Sequence, residues 1–153
     1  MKKITLTACF LSIFVPALLF PQAREDTLFR EAGRRFQSGN YELADSLFYR
    51  YIQDYPDGRR VPEAFFHRAI IAYKLGNYEE ALQKIEDYIS RFSGYDPQES
   101  VYFWRGCILY QLQDYGRAAA DLGVFLLSAE DIQYTRKALL FKGMSELKLG
   151  NTE

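Results

Sequence analysis

The chain has 153 residues, of which 48% are hydrophobic, 16% are aromatic and 25% are charged, and its formal net charge at pH 7 is −1. This length suits one domain, and the composition is that of a globular protein rather than a disordered one. Binding to nucleic acid needs a local excess of Lys and Arg that displaces counterions, and the sequence has no such excess. We therefore expect no nucleic-acid partner.

The first 23 residues have the layout of a secretory signal peptide. Lys2 and Lys3 form a short positive region, residues 4–20 are uncharged and almost wholly apolar, and polar sequence then returns. We predict that residues 1–23 are removed by cleavage after Ala23, so that the protein is exported and is periplasmic or associated with the cell envelope. The apolar stretch is about long enough to cross a bilayer, so an uncleaved inner-membrane anchor at 4–20 is the alternative.

The two cysteines do not predict a site. "LTAC" at 6–9 is spelled like a bacterial lipidation site, but only five residues separate Lys3 from Cys9 and the apolar run continues beyond it. A signal peptide cut there would have almost no apolar segment, so we expect no lipid on Cys9. Without the leader only Cys107 remains, which excludes an intramolecular disulfide and a thiolate metal cluster.

Three similar phrases organise the rest of the chain. "GNYELADSLF", "GNYEEALQKI" and "QDYGRAAADL" begin at residues 39, 76 and 113, which is a step of 37. Each phrase starts a stripe of apolar residues spaced by three or four, which predicts helices at about 41–55, 78–92 and 115–128. We call these the second helices.

Another set of apolar columns precedes each phrase on the same 37-residue step. Within a unit these columns fall at i, i+1, i+4 and i+8, which is one face of a helix. They predict the first helices, at about 25–38, 62–75, 98–112 and 133–148.

The turns inside the units have a common chemistry. Gly39 and Gly76 can adopt the left-handed conformation that ends a helix, while Gln113 replaces glycine in the third turn and should fit less comfortably. Glu80 is expected to complete a capping box. The residues expected to cap the following helix through their side chains are Asn40, Asn77, Asp114 and Asn151.

From residue 24 onward the pattern resembles the tetratricopeptide repeat (TPR). The resemblance is carried by an aromatic or leucine residue early in the first helix, a small residue four positions later, "GNYEEA" across the turn, and Pro56 closing the first unit. The long loop in "YIQDYPDGRRVPEAFF" is similar to bacterial periplasmic members, such as the TolA-binding protein and the lipoprotein of the outer-membrane barrel-assembly machinery.

The resemblance implies an all-α fold, namely a right-handed α-solenoid of antiparallel helix pairs with about 3.5 repeats. We assign residues 24–153 to one TPR-like domain. Its units are expected at about 25–61, 62–98 and 99–135, followed by an incomplete unit at 136–153.

The sequence does not predict an enzyme. His67 is the single histidine and has no Cys or Ser partner at a recognisable spacing. Acidic pairs such as Glu79 and Glu80 lie at an exposed helix start, where they complement the helix dipole. We therefore expect a non-catalytic protein without a metal or another cofactor.

In TPR arrays the first helices line the concave face, so the resemblance implies that a protein or peptide from the cell envelope binds there. Contact with the membrane would occur only through an uncleaved signal or through the partner. The residues expected to contact the partner are Phe29, Phe36, Phe66, Ile70, Tyr73, Phe103, Tyr110, Leu140, Met144 and Leu147. The alternative is that the aromatic side chains only fill the contacts between units.

The positions at which relatives grip a peptide carboxylate with Lys and Asn hold residues such as Phe66 and Ile70, so that mode is not expected.

Two further features concern the surface and the end of the chain. Arg68, Arg105 and Lys142 repeat on the same step and are expected to pair with an acid of a neighbouring unit. "LGN" at 149–151 repeats the turn phrase, and no second helix follows it. The alternative function is therefore a structural or self-associating segment of a larger envelope protein, with this chain a fragment and the function in a missing C-terminal part.

Overall fold

The computed structural model describes residues 21–94 and 98–150, and these form seven helices. The helices are α1 (Pro21–Gln37), α2 (Tyr41–Asp54), α3 (Val61–Lys74), α4 (Tyr78–Arg91), α5 (Gln98–Gln111), α6 (Tyr115–Leu126) and α7 (Ile132–Gly150). Consecutive helices pack on each other along the chain. The predicted helices are confirmed to within a few residues at each end. Most of the predicted signal peptide lies outside the described residues, as do 151–153.

The three turns inside the units share one backbone geometry. Gly39, Gly76 and Gln113 have φ of 78°, 82° and 63°, and each donates its N–H to the carbonyl three residues earlier. The next residue in each turn donates to the carbonyl five residues earlier, which is the hydrogen-bond pattern of a Schellman helix end. A side chain in this conformation costs about 1–2 kcal/mol relative to glycine. Gln113 is therefore strained, as the missing glycine predicts.

The predicted caps are only partly correct. Asp114 accepts a hydrogen bond from the backbone N–H of Arg117 at 3.2 Å. Asn40 and Asn77 make no such bond, and Asn77 instead donates its side-chain amide to Glu80 at 3.5 Å, so the predicted capping box is wrong. The backbone angles of the three residues are nearly the same. The difference therefore lies in the side chains and not in the backbone.

Small residues let each first helix approach its second helix. Ala32, Ala69 and Gly106 are buried against the second helices, and the large buried side chains beside them are Phe48, Ile85 and Leu122. A Cβ added at Gly106 would lie 2.7 Å from Leu122 Cγ. The fourth member of the column, Gly143, has nothing within 4 Å of such a Cβ among the described residues. The core therefore runs through three helix pairs and is open at α7.

Candidate partner-binding surface

The predicted contact residues lie on one side of α1, α3, α5 and α7, which we call the first-helix face. Phe29, Ile70 and Phe103 are buried, with 5%, 5% and 2% of their surface exposed. The partly buried members are Phe36, Phe66, Tyr73 and Tyr110. The exposed members are Leu140, Met144 and Leu147 on α7, at 59%, 39% and 68%.

The column of Phe29, Phe66 and Phe103 packs inside the helix pairs. Each ring contacts the aromatic residue 22 positions later on the second helix, and the pairs are Phe29–Tyr51, Phe66–Tyr88 and Phe103–Phe125, with centroids 5.2, 5.4 and 5.3 Å apart. A partner that approached this face would not reach the buried Phe29 and Phe103. For this column the structure favours packing, which was the alternative interpretation.

A second set of rings lies between successive first helices. In each case the residue 31 positions after an aromatic side chain places its own ring against it. The pairs are Phe36–His67, Tyr73–Trp104 and Tyr110–Phe141, with centroids 5.2, 5.5 and 5.0 Å apart. All six side chains are partly buried, so each pair joins two units and also leaves ring surface exposed. We call these three pairs the ring-pair row.

Sequence reasoning missed the second member of each pair. His67, Trp104 and Phe141 are 37 residues apart, so the same step that identified the other columns would have found them. The column does not stand out in hydropathy, because His67 and Trp104 are polar at one end and the first member of the column is Arg30. The contacts between units therefore identify this column, whereas hydropathy does not.

His67 illustrates the chemistry of this row. Its ring stacks on Phe48 with centroids 4.9 Å apart and planes at 11°, and its Nδ1 atom is buried without a hydrogen-bond partner. Burial lowers the pKa of His67, with a smaller opposing effect from Glu63 and a smaller lowering effect from Arg60. The ring contacts of this neutral imidazole with Phe48 and Phe36 give it a packing role.

The other candidate reactive groups are also packed. Burial raises the pKa of the Cys107 thiol to about 12, so the thiolate is not populated near neutral pH. Burial raises the pKa of the Tyr73 phenol too, which keeps it a neutral hydrogen-bonding group. In residues 21–94 and 98–150, no group of three His, Cys, Asp or Glu side chains is placed to hold a metal ion.

A groove of about 650 Å³ lies between α1 and α3 on the first-helix face. We call it the α1–α3 groove, and its walls combine aromatic rings with charged side chains. The lining residues are Phe29, Arg30, Gly33, Arg34, Phe36, Gln37, Arg60, Glu63 and His67. The groove therefore carries three arginines and one acid.

The repeated cations form three different ion pairs. Arg68 binds Asp45 of the preceding unit through two hydrogen bonds of 2.8 and 3.0 Å, as expected. Arg105 binds Asp121 of its own unit at 2.6 and 2.8 Å, and Lys142 binds Glu146 on the same helix. The expectation of a neighbouring unit is therefore wrong for the last two, because the acids do not repeat with the cations.

The family described as outer membrane lipoprotein, YfiO, matches residues 21–145. The chain belongs to this family. The match begins at the first residue of α1 and covers most of α7. The comparison with curated proteins finds no significant match.

Several solved TPR domains share the fold of this YfiO-family chain. The NMR structure of the first TPR domain of human RPAP3 has a TM-score of 0.67 at 18% identity, over 84% of this chain and 97% of that one. The Yersinia enterocolitica type III secretion chaperone SycD gives 0.67 at 17%, over 82% and 95%. The first TPR of Spaghetti (RPAP3) gives 0.63 at 18%, over 80% and 93%. The YfiO-family chain is a TPR protein, and the predicted all-α repeat fold is confirmed.

The last helix of the YfiO-family chain exposes more aliphatic surface than the others. Its exposed members are Ile132, Leu139, Leu140, Met144, Leu147 and Leu149. Leu139, at 57%, belongs to the same apolar side as Leu140 and Leu147. Among the described helices, none combines the length and the hydropathy that a membrane-spanning helix needs.

Proposed function

We propose that this YfiO-family chain is a non-catalytic scaffold that binds a protein or peptide partner on its first-helix face. The observation that carries the proposal is the ring-pair row, which presents partly exposed aromatic surface at the junctions between units. Aromatic side chains supply large contact areas at low entropic cost, and they dominate the energy of many interfaces.

Two of the similar TPR structures support this use of the fold. The first TPR of Spaghetti (RPAP3) is bound to the HSP90 peptide SRMEEVD, and SycD is in complex with a peptide of the translocator YopD. In the present chain the partner contacts Phe36, Tyr73 and Tyr110 together with His67 and Trp104. From the core, Phe29 contacts His67 and Phe103 contacts Trp104. Ile70 is buried, and Phe66 is partly buried. The side chains of Leu140, Met144 and Leu147 extend the surface along α7.

We further propose that the protein is exported and works in the cell envelope. The leader-like layout of residues 1–23 supports export, and the description of the family as outer membrane lipoprotein supports the envelope. Cleavage after Ala23 would remove the first three residues of α1 but keep Glu25, whose carboxylate accepts a hydrogen bond from the Tyr51 hydroxyl at 2.5 Å. The contact between α1 and α2 would therefore survive processing.

Partner capture tests the proposed surface. The tagged protein is used to capture proteins from an envelope fraction, and Tyr73→Ala and Tyr110→Ala are compared with Tyr49→Ala. Tyr49 lies on α2 and is half exposed, so it is a matched tyrosine on another surface. We expect the first two variants to lose the captured partner while circular dichroism shows a helical fold. Equal capture by all three folded variants would exclude the ring-pair row as the binding surface.

A second candidate is self-association through α7, which the exposed side chains of Leu139, Leu140 and Leu147 favour. Contiguous exposed apolar patches mark sites of contact with proteins or membranes. We expect sedimentation to show a concentration-dependent mass that Leu147→Glu abolishes and Leu43→Glu, on α2, does not. A constant monomer mass would exclude this candidate without affecting the first.

A further inference from the structure

We propose that the α1–α3 groove binds an extended acidic segment of a protein partner. This inference rests on the proposed function and adds the chemistry of the ligand and the place where it binds. Two independent properties of the groove carry it, namely the sign of its charge and the open space over one glycine.

The charge of the groove is opposite to that of the chain. Arg30, Arg34 and Arg60 line it with Glu63 as the single acid, although the net charge of the whole chain is −1. Another groove, along α4, has the reverse balance. Its charged residues are Glu79, Glu80, Glu86 and Asp87 against Lys84 and Arg91. The positive sign is therefore local, and it selects for acidic side chains in a ligand.

The arginines are held in place by groups of the protein itself. The guanidinium of Arg60 lies 3.9 Å from the centroid of the Phe29 ring and binds Glu63 at 3.2 Å. The Arg30 Nε donates to the Asp26 carbonyl at 3.2 Å. Arg34, whose side chain is 69% exposed, pairs with Glu31 on its own helix. Positioned guanidinium groups lose less entropy when a carboxylate binds, and their planar geometry suits carboxylate oxygens.

Gly33 lies in the lining of the groove and adds no side chain to it. A Cβ added at this position meets nothing within 4 Å, so the packing of the fold does not require glycine there. Glycine inside a helix costs about 0.5–1 kcal/mol relative to alanine. Beside this open position stand the Phe36 and His67 rings, which form an apolar wall. A ligand backbone can approach Gly33 closely, place an apolar side chain on the rings and direct carboxylates to the arginines.

The groove fits a peptide better than the other common anions. Three arginines against one acid are too few to displace counterions along a nucleic-acid backbone. An anionic lipid surface would be attracted by flat basic surface, whereas this site is a concave groove with an aromatic wall. Binding of an anionic lipid instead of a peptide is one of the outcomes that the experiment distinguishes.

The test selects peptides from a random library displayed on phage against the full-length protein. We expect enriched sequences to contain Asp or Glu next to an apolar residue. A synthetic peptide of the enriched sequence should bind about tenfold more weakly to Arg34→Glu and should bind more weakly at higher salt. Arg35→Glu is the matched control, because Arg35 also pairs with Glu31 but does not line the groove.

A second pair of variants tests the space itself. Gly33→Trp fills the groove without meeting any atom of the fold at its Cβ, and it should abolish peptide binding. Gly116→Trp, on α6, changes another glycine with open space above it and should leave binding unchanged. Circular dichroism checks that both variants remain helical.

Four results would overturn the inference. Enriched peptides without acidic residues would remove the charge argument and leave the proposed function standing. Acidic peptides that bind equally to Gly33→Trp would place the site elsewhere. If phosphatidylglycerol vesicles bind the wild-type protein and displace the peptide from it, but do not bind Gly33→Trp, a lipid is the occupant. If the library yields no binder at all, the inference fails. The proposed function is tested separately, by partner capture with the Tyr73→Ala and Tyr110→Ala variants.

Discussion

The indole ring of Trp104 packs against the phenol ring of Tyr73, with centroids 5.5 Å apart and planes at 69°. Edge-on pairs of this kind contribute about 0.5–1.5 kcal/mol beyond the burial of their area. The equivalent contacts of Phe36 with His67 and of Tyr110 with Phe141 occur one unit earlier and one unit later. These ring pairs join successive units, and they are also the side chains that we propose contact a partner.

This coupling can be measured by a double-mutant cycle. We expect Tyr73→Ala and Trp104→Ala each to lower the free energy of unfolding by about 2–4 kcal/mol, because each removes a partly buried aromatic ring. The double variant should lose less than the sum, with a coupling energy of about 0.5–1.5 kcal/mol. Urea denaturation of the wild type, the two single variants and the double variant gives the four free energies of unfolding that the cycle needs. Strict additivity would mean that the two rings stabilise the fold independently.

Two glycines of one column should respond oppositely to the same change. Gly106→Ala brings a methyl group to 2.7 Å from Leu122 Cγ, so we expect a loss of about 1–3 kcal/mol through overpacking. Gly143→Ala meets no neighbour in the described structure and removes a helical glycine, so we expect a gain of about 0.5–1 kcal/mol. Thermal and urea unfolding measure both. A similar loss at both positions would show that a further element covers α7 in solution.

The strained turn at Gln113 predicts a stabilising substitution. Gln113→Gly should raise the free energy of unfolding by about 1 kcal/mol, because glycine adopts the observed φ of 63° without steric cost. The reciprocal change Gly76→Gln, at φ of 82°, should lower it by a similar amount. If Gln113→Gly is destabilising, the glutamine side chain makes a contact that outweighs the strain.

The buried imidazole of His67 predicts a pH dependence. Its pKa is lowered in the folded state, so the unfolded chain binds the proton more readily. The contribution of neutral His67 is fully present above the ordinary value of 6.5 and is lost as the pH falls from there through the lowered folded value. The slope approaches about 1.4 kcal/mol per pH unit. Urea unfolding between pH 5 and 8 should show this slope in the wild type and not in His67→Phe, and parallel curves would contradict it.

Mass spectrometry of the protein from the host cell tests the prediction for the leader. We expect the mature chain to begin at Arg24, which is the product of cleavage after Ala23. A chain beginning at a lipid-modified Cys9 would show that the prediction of no lipid on Cys9 is wrong. The protein would then be anchored by a lipid, as the description of the family says. A chain that retains residues 4–20 would identify the uncleaved anchor.

The sequence predicted the helices well because every column repeats on one step. Ala44, Ala81 and Ala118 mark the same depth in three helix pairs, so a single period placed most of the boundaries. Periodicity shows which side of a helix is apolar, but it does not show which neighbour fills that side. For this reason Phe29 and Phe103 were expected at the partner surface, whereas they pack on Tyr51 and Phe125.

The candidate site was less predictable for the same reason. The 37-residue step contains the column of His67, Trp104 and Phe141. It does not show that each of these rings packs on the aromatic residue 31 positions earlier. The prediction of the side-chain caps was also only partly correct. Asn77 and Asp114 have nearly equal backbone angles, but only the Asp114 carboxylate accepts a hydrogen bond from a backbone N–H of the helix. The positive groove depends on Arg60, in the loop after α2, lying beside Arg30 and Arg34 of α1.

Photo-crosslinking in the host cell tests the central claim most directly, which is that the first-helix face binds a protein partner. A photoreactive phenylalanine analogue replaces Trp104 in one strain and Tyr49 on α2 in another. We expect illumination to give a discrete protein adduct from position 104 and none from position 49. An adduct from position 49 alone, or no adduct from position 104 in a folded and exported protein, would contradict the claim.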